Sequence, residues 1–250
     1  MSCAKLARIT TALVMALLSA PACQTDGGKP EAAGYAAARE RMVAEQLASR
    51  DIGDRQVLDA MRAVPRHLFV PEEYRFASYR DHPLPIGEGQ TISQPYIVAL
   101  MTQLLHLDGS ERILEIGTGS GYQAAVLAEL VDSVHTVEIV EPLARRAGAL
   151  LDSLGYDKVV VRVGDGYLGW PEEAPFDGII VTCAPPEVPE PLLDQLADQG
   201  RLVIPVGENW QELVVIVRDG DRYRRSAVLP VRFVPMTGDG IGGRQDDSTK

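Results

Sequence analysis

The sequence predicts an α/β fold: an open, mostly parallel seven-stranded sheet with an antiparallel hairpin at its edge, preceded by amino-terminal helices. Three observations carry the prediction. From Arg112 to Val206 short apolar runs alternate with helix-compatible stretches, the pattern that builds parallel strands joined by crossover helices. One of those runs, Arg112 to Ile116, passes directly into Gly117-Thr118-Gly119-Ser120-Gly121 and then an alanine-rich helical pattern. Two last runs, Leu213 to Val217 and Ser226 to Val231, are joined by Asp219-Gly220-Asp221, a tight turn that pairs consecutive strands antiparallel.

Taken in order, the chain opens with Lys5 and Arg8 ahead of an apolar run from Ile9 to Ala20, followed by Ala20-Pro21-Ala22-Cys23. A positive region, an apolar region and a small-residue cleavage site make residues 1–22 an export signal, too short for a comfortable membrane span. Cys23 leaves two addresses open, lipid-anchored in the cell envelope or simply secreted to the periplasm. For lipidation, Pro21 and Ala20 depart from the usual residues at that site. A misread amino-terminal helix, and a cytoplasmic protein, is the third reading. Residues 23–35, rich in Gly, Pro and Ala, read as a linker.

Residues 36–110 hold amino-terminal helices and a long loop. Ala36 to Arg50 carries one apolar face, with Gly53 ending or interrupting it, and Asp54 caps a second helix whose apolar residues are Val57, Leu58, Met61 and Val64. Asp81 to Pro95 is too rich in Pro and Gly for helix, and Leu84, Ile86 and Ile92 anchor it as an ordered loop. Pro95 opens the next helix, which puts Ser93 and Gln94 at its amino end. The residues alone favour Ser93 as a helix cap; the other reading is a hydroxyl set beside an anionic substrate.

Residues 111–236 form the core. The three glycines permit a tight turn and close approach of a ligand, so the turn reads as a nucleotide cradle. The second strand, Val134 to Glu138, ends in an acid about twenty residues past the first glycine, where a carboxylate can accept ribose hydroxyls. The third, Lys158 to Val163, runs into Gly164-Asp165-Gly166, and the fourth, Phe176 to Thr182, enters Cys183-Ala184-Pro185-Pro186. A helix from Pro191 to Ala197 precedes strand five, Arg201 to Val206. Residues 237–250 read as a disordered tail.

Composition narrows the function. A chain of 250 residues, 46% apolar, buries a substantial core, and a formal charge of −11 argues against nucleic acid and for a protein, peptide or small-molecule partner. Three isolated cysteines exclude a dense disulfide framework, with Cys183 read as packing, and four histidines without ligand spacing predict no metal site.

The glycine turn, the acids after strands two and three, and the terminal hairpin resemble the class I S-adenosylmethionine-dependent methyltransferase fold, a Rossmann-like sheet. Leu84-Pro85-Ile86-Gly87 through Gln90-Thr91-Ile92-Ser93-Gln94-Pro95-Tyr96, with Val64-Pro65-Arg66 upstream, resembles the amino-terminal signature of the protein-L-isoaspartate O-methyltransferase family. So do Glu115 to Tyr122, Gly164-Asp165-Gly166, and Ala184-Pro185-Pro186 with Pro205-Val206-Gly207. The resemblance implies S-adenosylmethionine as cofactor and isoaspartyl proteins and peptides as substrates. It implies Gly117, Gly119 and Gly121 along the methionine portion, with Glu115, Thr118 and Ser120 beside them, Glu138 at the ribose, and Asp165 with Gly166 at the adenine. It makes Ser93 the active-site serine, overturning the helix-cap preference, and assigns the peptide grip to Thr91, Ile92, Pro205 and Val206. Two competitors stand beside this reading. An NAD-type oxidoreductase would want wider glycine spacing and a hydride-relay residue, and an exported, non-catalytic nucleotide- or peptide-binding module would need no catalytic residue. Oligomeric state is not legible.

Overall fold

A computed structural model describes residues 29–239. The expected export signal, the first residues of the expected linker and the expected tail beyond residue 239 lie outside them.

Helix α1, Lys29–Arg41, starts inside the stretch expected to be linker; Glu31, Ala32 and Ala33 favour helix, and Pro30 is tolerated in a first turn. It runs on as a π-helical segment, Met42–Ala48, which buries Met42, Val43 and Leu47 and ends short of Gly53. Helix α2, Arg55–Ala63, is capped as expected: Asp54 accepts from the backbone N–H groups of Gln56 at 2.9 Å and Val57 at 3.3 Å. After two short 3-10 turns, the expected loop contains a small hairpin, β1 (Leu84–Gly87) and β2 (Gln90–Ile92). Leu84, Ile86 and Ile92 are buried, and that alternation overrides the poor strand propensity of Pro85 and Gly87. Helix α3, Pro95–Leu104, follows.

The main sheet contains β3 (Arg112–Ile116), β4 (Ser133–Glu138), β5 (Val159–Val163), β6 (Phe176–Val181), β7 (Leu196–Val206), β8 (Gln211–Asp219) and β9 (Arg222–Val231). Its order is β5-β4-β3-β6-β7-β8-β9, parallel from β5 through β7, with β8 and β9 added antiparallel. The chain starts in the middle, winds outward to β5, then crosses back to β6. The crevice between the carboxyl ends of β3 and β6 is therefore the topological switch point, where open α/β sheets bind ligands. Helices α4 (Tyr122–Ala128), α5 (Glu141–Ser153) and α6 (Glu190–Asp194) complete the fold.

Strand β7 begins at Leu196, where a helix was expected to continue. Leu196 is fully buried and pairs with Phe176, and the ladder absorbs an irregularity before Gly178. Alternation along the strands splits the core in two. Ile113, Ile180 and Val203 face the helical layer with Met61, Met101 and Leu127; Leu114, Ile179 and Leu202 face the other side with Phe176 and Leu192. Edge strand β9 exposes Arg222, Arg224, Arg225 and Pro230, and its pairing with β8 shifts register between Leu213 and Val214. Past β9, the Val234–Asp239 segment is tied across the carboxyl ends of the strands through Ala184 and Asp165, so Thr237 to Asp239 are held where a loose tail was expected.

Candidate active site

The glycine turn after β3 is built as the alternating spacing suggests. Gly117, Gly119 and Gly121 all have positive φ, at 95°, 54° and 85°. A Cβ on Gly117 would lie 2.4 Å from Thr182 Oγ1, because β6 brings Thr182 directly against the turn. That hydroxyl lies 2.6 Å from the Gly117 carbonyl oxygen and 3.1 Å from that of Ile116, donating to them. From the other side, Glu138 Oε2 accepts from the Gly119 N–H at 2.8 Å and its Oε1 from the Val140 N–H at 2.9 Å. Glu138 thus fixes the turn and still has lone pairs free on both oxygens.

Two adjoining cavities meet at this turn. The first is lined by Gly117, Gly119, Glu138, Ile139, Gly166, Thr182 and Cys183, with Gln90 and Thr91 from the small hairpin and Val234 to Thr237 from the carboxyl-terminal segment. The second is lined by Thr91, Ile92, Ser93, Glu115, Thr118, Ser120 and Gln123. They share Thr91, Gly117, Gly119 and Thr182. The hairpin reaches over the turn: Ile86 Cδ1 lies 3.4 Å from where a Gly119 Cβ would be, and Arg146 of α5 donates to the Ile86 carbonyl.

Ser93 is not a helix cap. Gln94 holds that position, with no side-chain capping bond, and Ser93 lines the second cavity instead. Glu115 lies at the floor of the same cavity, fully buried. Its Oε2 accepts from Thr136 Oγ1 at 2.6 Å, whose hydroxyl also meets Thr118 Oγ1 at 2.7 Å, while Oε1 has no partner among the described residues. Burial pushes the Glu115 carboxyl up from its ordinary 4.5 to about 8; the Thr136 hydrogen bond opposes the rise and the Glu138 charge adds to it. Cys183 is a poor nucleophile, since desolvation raises its thiol to about 12.

Several expected residues stand elsewhere. Asp165 lines neither cavity: its Oδ1 accepts from the Tyr167 N–H at 2.9 Å as a turn cap, and its Oδ2 from the Asp239 N–H at 2.8 Å. Its neighbour Gly166 is the one on the wall. Gly121 also faces away, packing against Leu151 and Ala147 of α5, where a Cβ would come within 3.1 Å of Leu151. Pro205 and Val206 end β7 outside both linings. Conversely, Gln90, Ile139, Thr182 and the stretch from Val234 to Thr237 line the site without having been singled out.

A family model described as Protein-L-isoaspartate(D-aspartate) O-methyltransferase matches residues 37–240. The chain belongs to that family. A protein-L-isoaspartate O-methyltransferase 2 of Shewanella sediminis (strain HAW-EB3) is 62% identical over 206 residues, covering 82% of this chain and 84% of the relative. A protein-L-isoaspartate O-methyltransferase 1 of Syntrophobacter fumaroxidans (strain DSM 10017 / MPOB) is 59% identical over 202 residues, covering 80% and 94%. Among solved structures, a protein-L-isoaspartate O-methyltransferase superposes with a TM-score of 0.75 at 30% identity, covering 80% of this chain and 66% of that one. A Plasmodium falciparum structure described as this methyltransferase in complex with S-adenosyl-L-homocysteine gives 0.69 at 27% identity, covering 80% and 98%. The first cavity fits such a ligand: lone pairs remain free on Glu138, and Ile139 offers an apolar wall.

Proposed function

We propose that the chain transfers a methyl group from S-adenosylmethionine to the free carboxylate of isoaspartyl residues in damaged proteins, the first step of their repair, with Ser93 orienting that carboxylate. The observation that carries this reading is the pair of cavities joined at Gly117 and Gly119, one beside Glu138 and the other beside Ser93. Residues 111–236 then serve as the cofactor core and residues 36–110 as the substrate-binding part.

The chemistry asks little of the protein. A carboxylate with an ordinary pKa near ~4 is already ionised at neutral pH, so no general base is needed. Bound S-adenosylmethionine supplies a methyl group activated by its sulfonium. Glu138 would hold the ribose hydroxyls on the lone pairs left by Gly119 and Val140. The Ser93 hydroxyl donates to one oxygen of the isoaspartyl carboxylate, leaving the other to attack. Glu115, protonated at neutral pH, brings no like charge into the substrate cavity. Thr91 and Ile92 line that cavity beside Ser93, and positioning of the carboxylate there is worth up to ~7–11 kcal/mol in intramolecular comparisons. Ser93→Ala assayed on an isoaspartyl peptide should lose about tenfold or more in kcat with affinity for S-adenosylhomocysteine unchanged. Wild-type turnover would remove Ser93 from the mechanism.

The address belongs to the same proposal. Lys5, Arg8, the apolar run to Ala20 and Cys23 lie ahead of the family match and support export, either free in the periplasm or anchored through lipid on Cys23. Among the described residues no helix is long and apolar enough to cross a membrane. Assaying envelope and cytosolic fractions separately tests this; activity confined to the cytosol would refute it.

A further inference from the structure

Arg66 is the largest fully buried side chain of the described residues, with no exposed surface, and it forms no ion pair there. Burial lowers its pKa only to about 10, so the guanidinium stays charged at neutral pH. Its partners are backbone and ring. Nη2 donates to the Ser93 carbonyl at 2.7 Å, Nε donates to the Ser78 carbonyl at 2.8 Å, and Cζ lies over the Tyr122 ring, 4.7 Å from its centre. Tyr122 opens the helix that leaves the glycine turn.

A buried cation that touches no carboxylate, with Asp81 acting on it only from a distance, is an expensive way to fill a core, and apolar residues of similar size usually do so at lower cost. What an apolar residue cannot do is hold two carbonyls at fixed angles while stacking on an aromatic face, which the planar fork of arginine does. One of those carbonyls is that of Ser93. Its bond from Arg66 is the only side-chain hydrogen bond reaching Ser93 among the described residues. Ser93 lies between the end of β2 and the start of α3, outside both.

We propose that Arg66 is a positioning residue for methyl transfer, fixing the Ser93 backbone relative to the glycine turn so that its hydroxyl meets the substrate carboxylate. The proposal rests on the Ser93 reading above, and its test separates the two. Arg66→Lys keeps the charge but not the fork; Arg66→Met keeps much of the length and neither. Each is measured alone and combined with Ser93→Ala, for kcat and KM on an isoaspartyl peptide and for Kd of S-adenosylhomocysteine, with rates divided by titrated active sites. The expected result is a kcat lowered about 10–100-fold in both single variants, Arg66→Lys the milder, with Kd within about twofold of wild type. In the Ser93→Ala background the same changes should cost little more.

A purely structural role predicts fewer active sites but normal kcat per site, and that result overturns the proposal. So does a loss that multiplies undiminished with Ser93→Ala, which would leave the Ser93 reading intact. If Ser93→Ala alone turns over normally, the Ser93 reading fails and takes this proposal with it. Should Arg66→Met not fold, the Arg66→Lys coupling decides alone.

Discussion

Replacing Glu138 by glutamine isolates what its two oxygens do. Both accept backbone N–H groups, from Gly119 at 2.8 Å and Val140 at 2.9 Å. An amide of the same shape has one oxygen and one NH2 group, so in either orientation an N–H faces an N–H. One charge-assisted hydrogen bond is lost, worth about 1.5–3 kcal/mol, and a backbone donor is left unsatisfied in a half-buried turn. The unliganded protein should therefore lose about 1.5–3 kcal/mol in urea denaturation. If the free lone pairs also receive ribose hydroxyls, ligand affinity falls by a similar energy, which at 1.4 kcal/mol per decade is about 10–150-fold in Kd. Calorimetric titration with S-adenosylhomocysteine, run beside denaturation of the unliganded protein, separates the two effects. A lower unfolding midpoint with unchanged Kd would make Glu138 a turn-closing residue only. Unchanged values of both would refute the geometry as a source of energy.

Two further outcomes follow from the same site. Glu115 binds its proton more tightly folded than unfolded, so its contribution to stability is complete below about 4.5 and is lost as pH rises through about 8. Wild type should lose stability relative to Glu115→Gln across that window, by at most ~1.4 kcal/mol per pH unit, and parallel denaturation profiles of the two proteins from pH 5 to 9 would contradict it. Gly117→Ala combines a left-handed backbone, about 1–2 kcal/mol, with a Cβ set 2.4 Å from a threonine oxygen, about 1–3 kcal/mol of overpacking. It should unfold at markedly lower urea and fail to bind S-adenosylhomocysteine, and wild-type binding would show that the turn yields easily.

Much of this site was legible because its determinants are local. Three alternating glycines state the turn, an acid at a strand end states Glu138, and an aspartate ahead of an amphipathic run states the Asp54 cap. What escaped depends on contacts between distant segments. Nothing near Thr182 signals that β6 will set its hydroxyl against Gly117, and nothing near Asp165 signals that Asp239 will occupy it. Gly121 was counted with its two neighbours because spacing cannot tell a glycine beside a ligand from one beside Leu151. Ser93 was ambiguous for a related reason: a serine two residues before a helix proline suits a cap, and only the position of Gln94 frees it. The small hairpin was hidden by Pro85 and Gly87, although burial of Leu84, Ile86 and Ile92 on one side decided it.

The make-up of β9 bears on how such a catalyst survives its own substrates. A damaged protein that has partly opened exposes strands that have lost their neighbours. A bare sheet edge would recruit one as an additional strand, turning a brief encounter into the seed of an aggregate. Here the exposed strand sets Arg222, Arg224 and Arg225 around the exposed Tyr223 and Val228, lacks a donor at Pro230, and its pairing with β8 slips by a residue. Foreign backbone finds no flat, continuous ladder on that side, which on the reading proposed above leaves the cavity beside Ser93 as the place where damaged chains meet the enzyme.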